Sequence, residues 1–303
     1  MAQTWQNLLA QPGPILADGA MGTMLFEAGL QFGDPPEVWN VAHPDVIRGI
    51  QRAYLEAGSQ IVLTNTFGGS RFRLGMHNLQ SRVPELNRTA AILLRAEVEA
   101  AGGNALVAGD IGPSGEIFAP LGTLEYAEGV EGFAEQAAAL IAGGVDIIWI
   151  ETMSALEEVE AAVEGVRRVS ADIPIITTMT FDTHGRTMMG VTPEKAVKHL
   201  LGLGAAAVGG NCGNGPEELL AVVQKMQAVE PNAVLVAKSN AGIPELIERR
   251  TVYRASPEIM SGYAQKVHAA GARIIGGCCG NTPAHMAAMN SALKGQPVNH
   301  NHR

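Results

Sequence analysis

ARIIGGCCGNTPAH, residues 272–285, compresses a strand, a turn and a helix start into one short segment. The apolar, β-branched run ARIIGG (272–277) has the length of a buried strand, too short for a stable helix. Two adjacent cysteines, Cys278 and Cys279, then sit among glycines. Thr282-Pro283 follows, a capping hydroxyl and a proline suited to the first helical turn.

The same unit recurs upstream. Apolar runs occur at PILA (14–17), QIVLT (60–64), ALVAG (105–109), DIIWIE (146–151), PIITTMT (174–180), AAVGGN (206–211) and AVLVAK (233–238). Helical stretches separate them, with apolar residues three and four apart, as at Val46, Ile47, Ile50, Tyr54 and Leu55, or Phe133, Ala137, Ala138 and Ile141. Thr192-Pro193-Glu194 and Ser256-Pro257-Glu258 repeat the helix start, and Gly58, Gly102, Gly143, Gly204 and Gly271 stand where helices should stop in a left-handed residue. Eight strands alternating with helices over roughly 250 residues predict an α/β fold, a closed (β/α)8 TIM barrel. An open dinucleotide-binding sheet is disfavoured, since no GxGxxG follows the first strand. Nothing resembles a linker, so residues 1–303 are read as one domain, with a polar tail at 296–303 expected to be disordered; its His300 and His302 are not expected to bind metal. The long loop from Gly112 to Tyr126 is expected to contribute to a lid.

Composition narrows the class. A chain that is 47% hydrophobic and 17% charged buries a substantial core without disulfides. A net charge of −9 with no lysine or arginine run argues against nucleic acid or acidic lipid as partners and favours small molecules. The N-terminus has no basic region and no long apolar stretch, so neither a signal peptide nor a membrane anchor is expected, and a cytoplasmic protein is. Three cysteines cannot all pair, and a disulfide between neighbours is strained, which leaves thiol or metal chemistry.

In a barrel, the carboxyl ends of different strands meet at one mouth. Cys212 follows the sixth strand, Cys278 and Cys279 the eighth, so three sulfurs are expected to converge. Zinc suits three thiolates and leaves a fourth position open to substrate. Asp18 after the first strand and Glu151 at the end of the fourth are candidates for holding an ammonium group, and the turn from Gly19 to Thr23 offers backbone N–H groups to a carboxylate. An amino acid substrate is implied. Asn65 and Asn240 follow the second and seventh strands, where amides orient a ligand, take an empty metal position or brace a loop. Trp39, Phe67, Phe72 and Tyr126 are candidate walls of a second, apolar pocket.

The motifs ADGAMGTML, TNTFGGSR, GDIGPSGE, IETMS, NCGNGPEE, SNAGIP and GGCCGNTPAH resemble the homocysteine S-methyltransferase family along nearly the whole chain. The resemblance implies that Cys212, Cys278 and Cys279 bind zinc, that Asp18 and Glu151 belong to a homocysteine pocket, and that Asn240 lies near the metal. It implies methyl transfer to homocysteine, giving methionine, but not the donor. Glycine betaine is the expected donor, since GDPPEVWNVAHPDV and TMTFDTHGRTMMGVT resemble bacterial betaine enzymes, while the PEVWN spacing also resembles the homocysteine-binding barrel of cobalamin-dependent methionine synthase. S-methylmethionine and a methylcorrinoid carried by another protein are the alternatives. A structural or storage zinc site and a cysteine redox protein are the competing readings outside methyl transfer.

Overall fold

A computed structural model of the protein describes residues 3–247 and 250–294. The strands are β1 Ile15–Leu16, β2 Ile61–Leu63, β3 Leu106–Ile111, β4 Ile147–Met153, β5 Ile175–Met179, β6 Ala207–Cys212, β7 Leu235–Ser239, β8 Glu245–Ile247, β9 Arg250–Val252 and β10 Ala272–Gly277. The helices are α1 Trp5–Ala10, α2 Gly22–Glu27, α3 Trp39–Ala42, α4 Pro44–Glu56, α5 Arg71–Gly75, α6 Val83–Ala100, α7 Tyr126–Ala142, α8 Leu156–Val169, α9 Pro193–Gly202, α10 Pro216–Val229, α11 Pro257–Ala269 and α12 Pro283–Leu293.

Eight parallel strands lie in the order β1-β10-β7-β6-β5-β4-β3-β2, and a parallel bridge from Ala17 to Ile61 joins the two ends. The barrel is closed, as the alternation predicts. All eight sequence runs form its strands. The additional hairpin β8–β9 lies between β7 and α11 and is outside the barrel sheet. The predicted helix starts are present: Thr192 accepts from the Lys195 N–H, Ser256 from the Ile259 N–H, and Thr282 shares a capping box with His285. One stop differs. Gly143 has φ −83° and caps α7 in helical conformation, and the left-handed turn falls on Gly144 at φ 91°. The helix runs one residue further before reversing. The 296–303 tail, with His300 and His302, lies outside the described residues.

Alternation along each strand divides the core in two. Outward residues such as Ile148, Ile150, Val208 and Ile275 pack beneath the helices. Inward residues Ile15, Ile61, Leu106, Ala108, Ile147, Trp149, Ile176, Ala207, Val236 and Ile274 fill the barrel, and Trp5 and Leu8 of α1 close its lower end. Two residues further along the same strands the filling turns polar: Asp110 above Ala108, Glu151 above Trp149, Thr178 above Ile176 and Lys238 above Val236. The upper layer of the barrel interior is therefore polar and buried. Among the described residues, no helix is long and apolar enough to cross a membrane.

Candidate active site

The sulfurs of Cys212, Cys278 and Cys279 lie within 4.8 Å of one another, half-buried at the carboxyl ends of β6 and β10. A tetrahedral ion with metal–sulfur bonds of ~2.3 Å holds its sulfurs ~3.8 Å apart, so these side chains are already gathered at close to ligand spacing. The donor set fits zinc: soft sulfur atoms in an incomplete tetrahedron. The thiols also crowd one another. Cys278 favours the Cys212 thiolate by a hydrogen bond, but the Cys279 contact and burial outweigh it and push Cys212 up to about 12. Cys279, favoured by its hydrogen bond to Cys212 but opposed by Cys278, is likewise pushed up to about 12. Three anionic sulfurs at this spacing require a cation among them.

The backbone builds this cluster deliberately. Cys212 adopts φ 62°, a conformation costly for a non-glycine residue, which turns its side chain at the end of β6. Cys278 N–H donates to the Ser239 carbonyl (2.8 Å) and Ala241 N–H to the Cys279 carbonyl (2.9 Å), so the cysteine pair is clamped to the segment that follows β7. The Asn281 amide donates to the Ser239 and Cys278 carbonyls at 2.9 and 3.1 Å. Thr23 accepts from the Gly280 N–H at 3.3 Å. Asn211, beside Cys212, accepts from the Thr152 N–H (2.8 Å) and the Thr178 hydroxyl (2.7 Å) and donates to the Thr152 hydroxyl (2.6 Å). Thr152, at φ 62°, is thereby held in a strained irregularity of β4 immediately after Glu151.

The cluster opens onto a cavity of about 490 Å³. Asp18, Gly19, Asn65, Glu151 and the three cysteines all line it, together with Phe67. Gly19 is required there: a Cβ would stand 2.6 Å from the Asn281 carbonyl oxygen and 2.8 Å from the Tyr54 ring. Tyr54 itself ties the two loops together, its hydroxyl lying 2.6 Å from the Ala20 carbonyl and 2.8 Å from that of Asn281.

Other expected residues stand apart from the wall. Thr23 braces the cysteine turn without lining the cavity. Asn65 lines it, yet its amide donates to the Pro36 carbonyl (2.8 Å) and to Asn40 (3.1 Å), bracing the loop. Asn240 donates to the Gly213 carbonyl at 2.7 Å and favours the Cys212 thiolate by a hydrogen bond, while its buried Oδ1 has no partner. Among the four candidate aromatic walls, only Phe67 reaches the cavity, where Phe26 joins it. Trp39 packs tilted against His43, Phe72 packs edge-on against Phe133, and Tyr126 turns to Phe118 and donates to Glu164 at 3.0 Å. No residue from 112 to 126 lines the cavity.

Lys238 stands in no motif of the sequence. Its ammonium, 3% exposed, lies 2.8 Å from Asp18 and 4.0 Å from Glu151, above the Trp149 ring at 5.1 Å. Burial works against its charge, but Asp18 and Glu151 outweigh burial and raise its pKa. Asp18 accepts the Leu63 N–H (2.7 Å) with its other oxygen. Burial raises Glu151, partly countered by Lys238. Burial also raises Asp110, on the neighbouring strand, well above the carboxylate range, and Glu151 adds to the effect. Lys238 and Asp110 were legible as inward positions, since each follows an inward apolar residue by two.

The family model for homocysteine S-methyltransferases matches residues 15–293. The methionine synthase of Mycobacterium tuberculosis is 32% identical over 293 residues, 92% of this chain but 24% of that protein, so the chain spans about a quarter of this relative. The structure of the homocysteine methyltransferase MmuM from Escherichia coli in its metallated form is similar with a TM-score of 0.77 at 26% identity, covering 94% of this chain and 98% of that one. Its oxidized form gives 0.79 at 25% identity with the same coverage.

Proposed function

Because this chain belongs to the homocysteine S-methyltransferase family, we propose that it methylates homocysteine to methionine at a zinc ion held by Cys212, Cys278 and Cys279. One observation carries the reading: three sulfurs converge within 4.8 Å on the wall of the same cavity that Asp18 and Glu151 line. A thiol and an ammonium group on one small amino acid match those two features. When bound, zinc would supply a deprotonated, positioned substrate sulfur, since a free thiol near ~8.5 is mostly protonated at neutral pH.

The protein's residues do the rest. Glu151 receives the α-ammonium of homocysteine, Asp18 lines the same wall in its ion pair with Lys238, and the turn beginning at Gly19 offers backbone N–H groups to the carboxylate. Asn240 Oδ1, buried without a protein partner beside Cys212, would be an oxygen available to the metal. The substrate sulfur uses a lone pair to form the S–CH3 bond while the bond between methyl and its leaving group breaks, the pair departing with that group.

Glycine betaine, the donor expected from sequence, calls for aromatic walls around its cation. Trp39, Phe72 and Tyr126 are engaged elsewhere, and the cavity has Phe26 and Phe67 beside Met76 in its wall. Tyr54 adds a third aromatic ring to that wall, and because S-methylmethionine is a cation as betaine is, the donor assay is what separates these two from a methylcorrinoid protein.

Methionine formation is to be measured from homocysteine with betaine, S-methylmethionine and methylcobalamin offered separately, using zinc-loaded protein, chelated protein and Cys279→Ser. Turnover with at least one donor is expected, lost on chelation and lost together with zinc in Cys279→Ser. Undiminished turnover after stringent chelation, or no turnover with any donor, refutes the proposal.

A further inference from the structure

The floor of the cavity holds three carboxylates and one ammonium, and their partners divide them. Both oxygens of Asp18 are engaged, one by Lys238 at 2.8 Å and one by the Leu63 N–H at 2.7 Å. Elsewhere, buried or half-buried carboxylates with structural roles are similarly tied. Asp146 accepts the Val107 N–H and pairs with Arg95, and Glu158 accepts both the Ser114 N–H and its hydroxyl. Two carboxylates break this pattern. Glu151 Oε2 and Asp110 Oδ1 are buried with no hydrogen-bond partner, and both side chains line the cavity.

Asp110 is 6% exposed and is held rigidly. Its backbone N–H donates to the Thr64 hydroxyl (3.0 Å), and its carbonyl accepts from the Thr66 hydroxyl (2.7 Å). Those bonds fix β3 against the loop that follows β2, so the carboxyl points inward on a stiff strand beside β4, which carries Glu151. A buried polar atom left without a partner is costly, and one that also lines a cavity is placed for a ligand to complete it. The missing partner here has a definite chemistry: a donor with several N–H groups and one positive charge, delivered between two carboxyl groups.

We infer that Asp110 is a further substrate-binding residue, sharing with Glu151 the α-ammonium of the amino acid substrate while Lys238 stays committed to Asp18. This rests on the homocysteine reading and extends it to a residue on a third strand. Lys238 then has a positioning role, orienting Asp18 from below.

The test is a comparison of two thiols that differ only at the α-carbon: homocysteine and 4-mercaptobutyrate, which lacks the amino group. Their dissociation constants are measured by calorimetry on zinc-loaded wild type, Asp110→Asn and Asp110→Ser, with zinc content and circular dichroism confirming fold and metal. Homocysteine binding is expected to weaken about 10–100-fold in both variants, the loss of a hydrogen bond to a charged group, with 4-mercaptobutyrate unchanged. Two variants of different size keep the result readable if one of them misfolds. Equal weakening of both thiols, or unimpaired homocysteine binding in a folded variant, overturns the assignment. Wild type that binds neither thiol overturns the homocysteine reading as well.

Discussion

At the scale of single residues, the site contrasts groups that are satisfied with groups that wait. Asp18 and Lys238 satisfy each other at 2.8 Å, whereas Glu151 sits 4.0 Å from the same ammonium with an unpartnered oxygen. Burial raises the pKa of Glu151, so an arriving ammonium group stabilises the ionised form that the cavity disfavours. Glu151→Gln should therefore keep its zinc and fold but bind homocysteine on the order of tenfold more weakly, since it trades a charged acceptor for a neutral amide. Zinc content and calorimetric affinity check this, and unchanged affinity in folded protein would reject the role. Sequence named Glu151 and Asp18 because each ends an apolar run. It passed over Lys238 and Asp110, although period-two alternation from Val236 and Ala108 marks both as inward. The aromatic candidates show the limit of that signal. Phe72 and Tyr126 lie on α5 and α7, and closeness to a strand end in sequence does not say which side of a helix faces the mouth.

At the scale of elements, the strands supply two services along their length. Their lower inward residues pack, and upper ones such as Asp110, Glu151 and Lys238 line the cavity. The helix α1 matters because it closes the packed end: Trp5 is 7% exposed and Leu8 fully buried against inward residues of the barrel. Trp5→Ala is expected to cost ~3–5 kcal/mol of stability while leaving turnover unchanged at temperatures where the variant stays folded, because the cavity lies at the opposite end. Urea unfolding and a steady-state assay separate the two effects, and a loss below about 1 kcal/mol would contradict the plug. Helix starts were legible because a hydroxyl and a proline fix local geometry, as at Thr192 and Ser256. The β8–β9 hairpin was not. Its strands pair only with each other, and the segment has neither the apolar run of a buried strand nor a two-residue glycine turn to announce it.

At the scale of the whole molecule, closure of the barrel is what turns sequence separation into proximity. Cys212 and Cys278 are distant in the chain, yet β6 and β10 both flank β7, and all three strands end at the same mouth. That convergence was predictable from the alternation alone. The shape of the outer cavity was not, because its wall comes from the segment Gly33–Glu37 and from Arg73, Met76 and His77 at the end of α5, whose paths the strand pattern leaves undetermined. A chain spanning about a quarter of a methionine synthase relative is nonetheless matched by the family model from 15 to 293. The central claim is that substrate sulfur enters the metal site formed by the three cysteines. Zinc-edge X-ray absorption of the zinc-loaded protein, recorded with and without homocysteine, tests it most directly. Three sulfurs at ~2.3 Å should become four when homocysteine is added, with loss of the oxygen or nitrogen scatterer. A coordination sphere unchanged by saturating homocysteine would contradict the account.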